Sequence, residues 1–413
     1  MKLKRITSLL LCGLLTFGGV AESTIAVMAA EQHNSITEAN VTEPKKGTSV
    51  ATAIEGKAIP KVAKSTTAKA AGDVDLNDTT SFPDFIFAYN LYLQFDKNGD
   101  GILNLAERNS VTKISMGYAR ITSFKGVEFF PNLKTFECAD TYITSLDLSK
   151  NKNLTEIYCA NNSNLTKLTL GNTAKLTKLQ CSDNMLTSLN LKGSKKLQTL
   201  DCDGNQLTSL DLQANKKLTY VNCVDNKLKT LKVPNTLTKL YAQNNQLYGV
   251  TGLNNCKKLT TLNLINNLFV KLPSFKSCPK LRYISFEKNY LTKEEILAKL
   301  PGSGSNANKK WLSAQLKKQK KLAVPKSLKV ATSGKKALAI TWKKASNTTG
   351  YQVYMSTKKN GTYKKVKTTS ALSFTHKKLK KGTTYYYKIR SYRKIGKDTV
   401  YSAWTTVKSK KSK

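Results

Sequence analysis

Residues 176–196 read LTKLQCSDNMLTSLNLKGSKK, and residues 197–217 read LQTLDCDGNQLTSLDLQANKK, so the second segment repeats the apolar positions of the first. The pattern continues in both directions with a spacing of 19 to 22 residues. Aligned on the first leucine-type residue, the repeats begin at Val111, Leu133, Leu154, Leu176, Leu197, Leu218, Leu237, Leu259 and Leu281. Such a period predicts a solenoid in which each unit buries its apolar face against the next.

Two columns of residues define the repeat type. The position three residues after each start is apolar, and the position eight residues after most starts is asparagine. The asparagines are Asn162, Asn184, Asn205, Asn226, Asn245, Asn267 and Asn289. This L-x-x-L-x-C/L-x-x-N-x-L pattern is typical of leucine-rich repeats. It predicts nine repeats over residues 111–302, one strand per repeat, and asparagine side chains that satisfy buried backbone groups after each strand.

Five of the eight cysteines also form one column of the repeat, and two others form a second. The first column holds Cys138, Cys159, Cys181, Cys202 and Cys223, and the second Cys256 and Cys278. Disulfides, zinc ligands and a nucleophile are the chemical alternatives. Equivalent residues on parallel strands lie ~4.8 Å apart, slightly farther than a disulfide prefers, and both histidines lie outside the repeats. The pattern therefore favours buried free thiols that pack as small apolar residues.

The net charge of +42 is distributed unevenly along the chain. Residues 301–413 carry 30 basic side chains and a single acid, Asp398. Such a surface repels itself at low salt and attracts polyanions. With only His33 and His376 available, no nucleophile, base and orienting group can be assembled, so we do not expect an enzyme.

The chain begins like an exported protein. Residues 1–29 combine early basic residues with an apolar stretch and small residues for cleavage, which predicts a signal peptide, with an uncleaved anchor as the alternative. Beyond residue 30 no apolar run approaches the ~20 residues that span a bilayer. Residues 30–80 have few bulky apolar residues and are predicted to be a disordered linker.

Residues 81–110 are predicted to form an EF-hand-like N-terminal cap. An entering helix over 83–94 precedes the loop Asp-Lys-Asn-Gly-Asp-Gly-Ile-Leu-Asn-Leu-Ala-Glu at 96–107. Every ligand position of a calcium loop is filled, by Asp96, Asn98, Asp100, Ile102, Asn104 and Glu107. We expect a structural Ca²⁺ here, and the alternative is a loop that caps the repeats without metal.

The outward positions of the strands predict what the concave face of the solenoid offers. Their charged residues are Lys113, Lys178 and Lys239 against Glu137, Glu156, Asp201, Asp203 and Glu287. Tyr158, Tyr220, Tyr241 and Tyr283 point the same way. Tyrosines with scattered acids are typical of binding surfaces, so we predict a ligand site that includes these four tyrosines with Asp201 and Asp203. Ordinary solvated strand surface is the alternative.

Lysines recur just before the repeat starts. The residues predicted to bind a polyanion are Lys175, Lys195, Lys196, Lys216, Lys217, Lys257, Lys258 and Lys280. With Lys152 they would form a ribbon of ~40 Å along one edge at the usual strand spacing. The alternative is a row of solvated turns that keeps the protein soluble.

In the last part of the chain the leucine-rich repeats end and a different residue pattern begins. Residues 303–323 are predicted to be a C-terminal cap, with Trp311 packed on the last repeat, and a basic linker. From 324 to 408 alternation at period 2 returns, with Trp342 on an early strand and the corner Leu379-Lys-Lys-Gly-Thr-Thr-Tyr385. This segment resembles the fibronectin type III sandwich, in which the corner tyrosine bonds back to the backbone. Residues 409–413 form a basic tail without a sorting motif or hydrophobic end.

From about residue 81 to 410 the chain resembles secreted leucine-rich repeat proteins of Gram-positive bacteria, and more distantly the internalin adhesins. The implied fold class is an α/β-type repeat solenoid, mostly β, with a helical cap and a C-terminal all-β sandwich. The implied function is a secreted, surface-associated binding or adhesion protein. Its solenoid would bind a protein or glycan, and its Lys-rich domain would hold it non-covalently on anionic envelope or matrix polymers. The alternative is a binder of wall polymer, glycosaminoglycan or extracellular DNA with an inert solenoid. Under the main hypothesis nucleic acid is not the expected partner.

Overall fold

A computed structural model describes residues 58–59, 72–300 and 309–413. The predicted signal peptide, 1–29, lies outside the described residues, as does most of the predicted linker. The chain divides into two compact units. The first comprises residues up to Asn267 with Leu272–Glu287 and Lys293–Gln315, and the second comprises Leu268–Lys271, Lys288–Thr292 and Leu316–Lys413.

The N-terminal cap contains β1 (Val74–Asp75), α1 (Phe85–Phe95), β2 (Ile102–Leu103) and α2 (Leu105–Ser110). Strand β1 pairs antiparallel with β2, and Leu76 beside it is 2 % exposed. The prediction of a disordered linker is therefore wrong for residues 72–80. Two apolar residues, Val74 and Leu76, were enough to dock this segment because the calcium-type loop offers an open strand edge.

Aspartate 84 joins the cap to the first repeat. Its Oδ1 accepts from Phe87 N at 2.9 Å and caps α1. Its Oδ2 accepts from the backbone N and the hydroxyl of Thr122 at 2.6 and 2.7 Å. One buried carboxylate thus satisfies donors on both sides of the junction.

The solenoid strands are short and parallel. They are β3 (Lys113–Ser115), β4 (Thr135–Glu137), β5 (Ser145–Asp147), β6 (Glu156–Tyr158), β7 (Lys167–Thr169), β8 (Lys178–Gln180), β9 (Thr199–Asp201), β10 (Ser209–Asp211), β11 (Tyr220–Asn222), β12 (Thr230–Lys232), β13 (Lys239–Tyr241), β14 (Val250–Thr251), β15 (Thr261–Asn263) and β16 (Tyr283–Ser285). Nine of them form one sheet in the order β3-β4-β6-β8-β9-β11-β13-β15-β16. The predicted leucine-rich repeat solenoid is confirmed.

The expectation of one strand per repeat is incomplete. Strands β5 and β7 form a second small sheet, and β10, β12 and β14 form a third. Segments such as Ser145–Asp147 alternate exposed, buried and exposed, which is the period of a strand with one buried face. Several repeats therefore use both halves of their turn as strands.

The predicted role of the asparagine column is confirmed. Asn184 Nδ2 donates to the carbonyl oxygens of Cys159 and Cys181, both at 2.9 Å, and its Oδ1 accepts from Asn162 N at 2.9 Å. Asn205 Nδ2 donates to the equivalent carbonyl oxygens of Cys181 and Cys202, and its Oδ1 accepts from Leu186 N at 3.0 Å. Each amide thus ties two successive repeats together through backbone groups that follow the strands.

A threonine ladder runs beside the asparagines and was not predicted. The hydroxyls of Thr155, Thr177, Thr219, Thr238 and Thr260 each donate to a carbonyl oxygen of the preceding repeat. These threonines stand one residue after the repeat starts.

All seven cysteines in the described residues are free and buried, as predicted. Burial raises the pKa of the Cys159 thiol to about 12 and that of Cys256 also to about 12. Since thiolates are the reactive form, these cysteines are packing residues rather than nucleophiles.

Helices α3 (Lys293–Lys299) and α4 (Lys309–Lys317) follow the last repeat. Trp311 on α4 packs edge-on against Phe286, with ring centroids 5.6 Å apart. The cap helix therefore covers the apolar end of the solenoid where a further repeat would stack.

The C-terminal sandwich contains β17 (Lys326–Thr332), β18 (Leu338–Lys343), β19 (Gly350–Ser356), β20 (Lys364–Thr369), β21 (Ser373–His376), β22 (Thr384–Ile395), β23 (Asp398–Tyr401) and β24 (Lys408–Lys411). One antiparallel sheet has the order β17-β18-β21, and the other has β20-β19-β22-β23 with β24 on the other end of β22. Trp342 and Tyr351 stack edge-on in the core at 5.4 Å. Lys380 N donates to the Tyr385 hydroxyl at 2.9 Å, which is the predicted tyrosine corner.

Across the described residues, no helix is long and apolar enough to cross a membrane.

Candidate functional site

The outward face of the nine-stranded sheet, here called the long-sheet face, carries the predicted ligand residues. Register places Asn222 between Asp201 and Tyr241 on the neighbouring strands β9, β11 and β13. The rings of Tyr220 and Tyr241 lie 5.8 Å apart at 49°. Asp201, Asp203, Tyr220 and Tyr241 therefore lie on three adjacent strands or just after them, and we call these four residues the central patch.

The two aspartates of the central patch hold protons more tightly than ordinary carboxyls. Burial, followed by the charge of Asp201, raises the pKa of Asp203 to about 8. Burial also raises the pKa of Asp201, and Asp183 adds to the effect. Burial likewise raises the pKa of the Tyr220 hydroxyl, with Asp201 as the second cause. The patch is thus partly desolvated, and near neutral pH it carries less negative charge than two free carboxylates.

The other two predicted tyrosines lie away from the patch. Tyr158 is on β6, which β8 separates from β9, and Tyr283 is on β16, which β15 separates from β13. The Tyr158 hydroxyl donates to Glu156 at 2.7 Å, and Lys178 Nζ lies 4.8 Å from its ring centroid. Tyr283 is 36 % exposed. Four of the six predicted residues are therefore brought together.

Several of the predicted outward charges are already engaged within the protein. Glu137 forms an ion pair with Lys113 at 2.8 Å. Glu287 is 3 % exposed, and Gln315 Nε2 of the cap helix α4 donates to its Oε1 at 3.0 Å. The expectation that Glu287 is solvent-facing is wrong, because the cap covers that position. The outward side chains that remain available to a ligand therefore lie nearer the central strands of the nine-stranded sheet.

A column of left-handed residues runs beside the long-sheet face and was not predicted. It comprises Tyr118, Asp140, Asn161, Asp183, Gly204, Asp225, Asn244, Asn266 and Lys288, all with positive φ. Asparagine, aspartate and glycine tolerate this conformation best. Their recurrence seven residues after each repeat start was the signal that could have revealed the column. It adds polar side chains next to the central patch.

The lysines predicted to bind a polyanion are all exposed. They occupy the turns that precede the long-sheet strands, so the repeat geometry aligns them along one edge. Lys175 Nζ donates to Asn153 Oδ1 of the preceding repeat at 2.7 Å. The row is interrupted before Leu237, where Pro234, Asn235 and Thr236 take the place of lysines. We call this row the Lys edge.

The segment predicted to be a calcium loop is a turn that connects two helices. Helix α1 ends at Phe95, α2 begins at Leu105, and Gly99 and Gly101 have φ of 72° and 82°. Asp96 accepts from Gly99 N at 2.8 Å through Oδ1 and from Gly101 N at 2.7 Å through Oδ2. The loop therefore turns around the carboxylate at its first ligand position.

The side chain at the last predicted ligand position, Glu107, also points back into the loop. Glu107 is 5 % exposed. Its Oε1 accepts from Lys97 N at 2.8 Å and its Oε2 from Asn104 N at 2.9 Å, while Asn104 Oδ1 accepts from Glu107 N. Burial raises the pKa of Asp96, as do the nearby charges of Asp100 and Glu107, although the bonds from Gly101 and Gly99 oppose this.

The residues suit a hard cation in type and order, but their side chains are turned to the loop's own N–H groups. In the part of the chain that the structure describes, no three His, Cys, Asp or Glu side chains are arranged as metal ligands. Asn98 Oδ1, the Ile102 carbonyl and Asn104 would have to complete an oxygen set around Asp96, Asp100 and Glu107. A cation bound there would join the two helices of the cap by neutralising three carboxylates.

Comparison with known proteins identifies the fold of the C-terminal part. The fibronectin type III domain family matches residues 323–408, so the resemblance drawn from Trp342 and Tyr385 is confirmed. A solved Fn3-like protein from Clostridium thermocellum is 24 % identical over 22 % of this chain and 92 % of that one, with a TM-score of 0.20.

Two similar solved structures come from Listeria monocytogenes. Internalin C2 is 20 % identical over 53 % of this chain and 100 % of that one, with a TM-score of 0.40. The functional domain of InlJ, which is described as including a cysteine ladder, is 16 % identical over 82 % of this chain and 100 % of that one, with a TM-score of 0.24. No curated protein matches the chain.

Proposed function

We propose that this protein is a secreted, surface-associated binding protein in which recognition and retention use different surfaces. The central patch of the long-sheet face selects a protein or glycan ligand. The Lys-rich sandwich, helped by the Lys edge, holds the protein on anionic envelope or matrix polymers. The observation that carries this proposal is the separation of charge: tyrosines and aspartates gather on one sheet face, while 30 of the 68 basic residues fall in residues 301–413.

The central patch has the chemistry of a recognition surface. Its tyrosines supply rigid, amphipathic contact area at low entropic cost, and its aspartates are partly desolvated before any ligand arrives. Partly desolvated polar groups discriminate among ligands because an unmatched partner leaves them unpaired. The patch therefore suits selective binding more than general adhesion.

The sandwich has the chemistry of a retention surface. Its outward strands are dominated by exposed lysines, such as those of β20 and β24. With one acid in residues 301–413, few of these lysines can find a carboxylate in their own domain. Attraction to a polyanion releases bound counterions and falls steeply with salt. Retention of this kind needs no defined pocket.

Binding is favoured over catalysis by the state of the reactive groups. Burial raises the pKa of the cysteine thiols, which keeps them protonated. His376 Nδ1 bonds to the Tyr387 hydroxyl at 2.9 Å, and burial lowers its pKa. Both groups are therefore engaged in the packing of their own domains.

The recognition half of the proposal predicts a loss of binding that salt does not mask. We expect the full chain with Tyr220→Ser and Tyr241→Ser to lose about tenfold or more of its binding to bacterial or animal cell surfaces in 0.5 M NaCl, as is typical of aromatic hot spots. High salt suppresses the charge-based retention. Titration of the labelled protein against whole cells measures the effect.

Tyr142→Ser is the matched control, because Tyr142 is 54 % exposed but stands outside the strands of the nine-stranded sheet. It should bind like the unaltered protein. Equal high-salt binding by all three proteins would favour the alternative, a polyanion binder with an inert solenoid.

The cap loop is proposed to bind one structural Ca²⁺ through Asp96, Asn98, Asp100, Ile102, Asn104 and Glu107. Isolated extracellular modules of this type bind calcium at ~10⁻⁴–10⁻³ M. At about 10 mM Ca²⁺ the cap should gain roughly 1.4–2.7 kcal/mol. We expect the thermal unfolding midpoint to rise on calcium addition and to return when a chelator is added.

Asp96→Asn keeps one acceptor oxygen for the N–H groups of Gly99 and Gly101 and removes one ligand charge, so its midpoint should respond to calcium weakly or not at all. Asp147→Asn, an exposed carboxylate in β5, should respond like the unaltered protein. A midpoint that ignores 10 mM calcium would show that the loop caps the repeats without metal.

A further inference from the structure

The sandwich contains a groove of about 540 Å³, within the volume range of small-molecule sites. It is lined by the start of β17 on one side and by the segment between β23 and β24 on the other. The lining side chains with ligand-binding chemistry are Lys326, Ser327, Trp404, Thr405 and Thr406. The lining thus combines one cation, several hydroxyls and one large aromatic ring.

The segment that carries Trp404 is fixed against the middle of β22. Thr405 N donates to Ile389 O at 2.9 Å, and the Thr405 hydroxyl accepts from Ile389 N at 3.0 Å. Ser402 makes the equivalent pair with Ser391, with both distances 3.0 Å. These bonds place Trp404 over the outward side chains of β22 and leave it half-buried.

Trp404 is the centre of a stack of cations and rings. Lys388 Nζ and Arg390 Cζ each lie 4.6 Å from its ring centroid, within the range of cation–π attraction. Tyr354 packs edge-on against it at 4.7 Å. Arg390 is held in place because its Nε and Nη2 both donate to Gln352 Oε1, at 3.0 and 2.9 Å.

The opposite wall is shaped by a bulge. The pairing of β17 with β18 shifts register between Lys326 and Lys329, and Ser327 has a φ of 55°. A non-glycine residue in the left-handed region is strained, and such residues occur where the surrounding structure imposes the backbone conformation. The bulge brings an exposed hydroxyl and the exposed Lys326 to the same wall.

We propose that this groove binds one anionic sugar unit of a polysaccharide, with Trp404 as the stacking platform and Lys326 as the charge partner. The inference rests on the proposed retention by polyanions and gives it a specific subsite. Lys388 and Arg390 contact Trp404 but do not line the groove, so the lining itself offers one cation among hydroxyls and a ring. This combination matches a uronate, which carries one charge on a ring with apolar faces. A dense phosphate chain would need more cations and no ring. The carboxylated sugar can come from an animal matrix or from a bacterial wall.

The test follows Trp404 directly in the full chain. The protein has three tryptophans, and Trp311 and Trp342 are buried, so 5-fluorotryptophan labelling gives three ¹⁹F signals. Trp404→Phe identifies the signal of Trp404 and keeps an aromatic platform. A hexasaccharide of glucuronate and N-acetylglucosamine represents the animal source, and a uronate polysaccharide extracted from Gram-positive walls represents the bacterial source. Polyphosphate supplies charge without rings, and dextran supplies rings without charge.

We expect at least one uronate ligand to shift the Trp404 signal in a saturable way, and polyphosphate and dextran to leave it in place. Trp404→Ala and Lys326→Ala should weaken uronate binding about tenfold, a typical loss for a central contact. Lys381→Ala removes the same charge at the far end of the sandwich and should change it less than twofold. The uronate ligand that shifts the Trp404 signal shows whether the carboxylated sugar comes from an animal matrix or from a bacterial wall.

An unmoved Trp404 signal at saturating uronate, or equal losses for Lys326→Ala and Lys381→Ala, would overturn the inference. If Trp404→Ala does not fold, the signal of the unaltered protein and the Lys326 comparison still decide. Salt-dependent binding of polyphosphate, together with no Trp404 response to either uronate ligand, would overturn the subsite and leave the proposed retention standing. If polyphosphate also fails to bind, both the subsite and the proposed retention are overturned.

Discussion

Replacing Asn184 by alanine should lower the free energy of unfolding of the solenoid by about 2–5 kcal/mol. The substitution leaves the buried N–H of Asn162 without its acceptor, and it removes one of the two amide donors from each of the carbonyl oxygens of Cys159 and Cys181. An unsatisfied buried group costs about 1–3 kcal/mol, and each lost hydrogen bond costs about 0.5–1.5 kcal/mol. Denaturant unfolding followed by far-UV circular dichroism measures the loss.

The location of Asn184 should also alter how the solenoid unfolds. Repeat proteins are stabilised by interfaces between neighbours, so a break in the middle uncouples the two halves. We expect a broader transition for Asn184→Ala than for the unaltered protein. Asn190→Ala, an exposed asparagine six residues later, should stay within about 0.5 kcal/mol. A change below 1 kcal/mol for Asn184→Ala would contradict the structural role of the column.

Removing six charges from the sandwich should weaken polyanion binding by about 10²–10³-fold at 0.1 M salt. The altered residues are the exposed lysines of β20 and β24, namely Lys364, Lys365, Lys367, Lys408, Lys410 and Lys411, each changed to glutamine. Each lost contact lowers the slope of log K against log salt by roughly 0.7–0.9. Titration with polyphosphate at four salt concentrations gives both quantities.

The Lys edge offers a control with equal charge. Changing Lys195, Lys196, Lys216, Lys217, Lys257 and Lys258 to glutamine removes six charges from exposed turns of the solenoid. We expect a smaller loss, because this row is interrupted at Pro234 and its lysines belong to a domain with more acids. Equal losses for the two variants would assign retention to net charge instead of to the sandwich.

Residue patterns that repeat could be read from the sequence. The period of the leucines predicted the parallel sheet, and the asparagine column that includes Asn184 predicted the buried amide ladder. Alternation of apolar and polar residues, together with Trp342 and Tyr385, predicted the sandwich, because few other folds need a core tryptophan and a tyrosine corner together. In each case a local pattern is tied to one backbone geometry.

Features that depend on distant partners could not be read. Glu287 is covered by Gln315, which lies 28 residues later in the chain. Strand β1 exists because the loop near Leu103 offers an edge to it. The stack around Trp404 joins β19, β22 and the segment after β23, and no spacing in the sequence links Tyr354 to Trp404. Such contacts follow from tertiary packing, which period and composition do not encode.

The candidate site could be predicted from the sequence only in part. Register alone predicts that Asp201, Asn222 and Tyr241 are neighbours, because equivalent residues of parallel repeats align. The shifted pKa of Asp203 was not predictable, since it depends on burial and on the charges of Asp201, Asp183 and Asp225.

Retention on isolated Gram-positive cell walls across a salt series tests the division of recognition and retention most directly. The proteins compared are the full chain, the six-lysine sandwich variant and the Tyr220→Ser, Tyr241→Ser variant. We predict that the full chain and the tyrosine variant are retained equally at 0.05 M NaCl and that both lose most of this retention by about 0.5 M. The sandwich variant should elute at distinctly lower salt. Salt-insensitive retention of the full chain, or equal retention of the sandwich variant, would contradict the account.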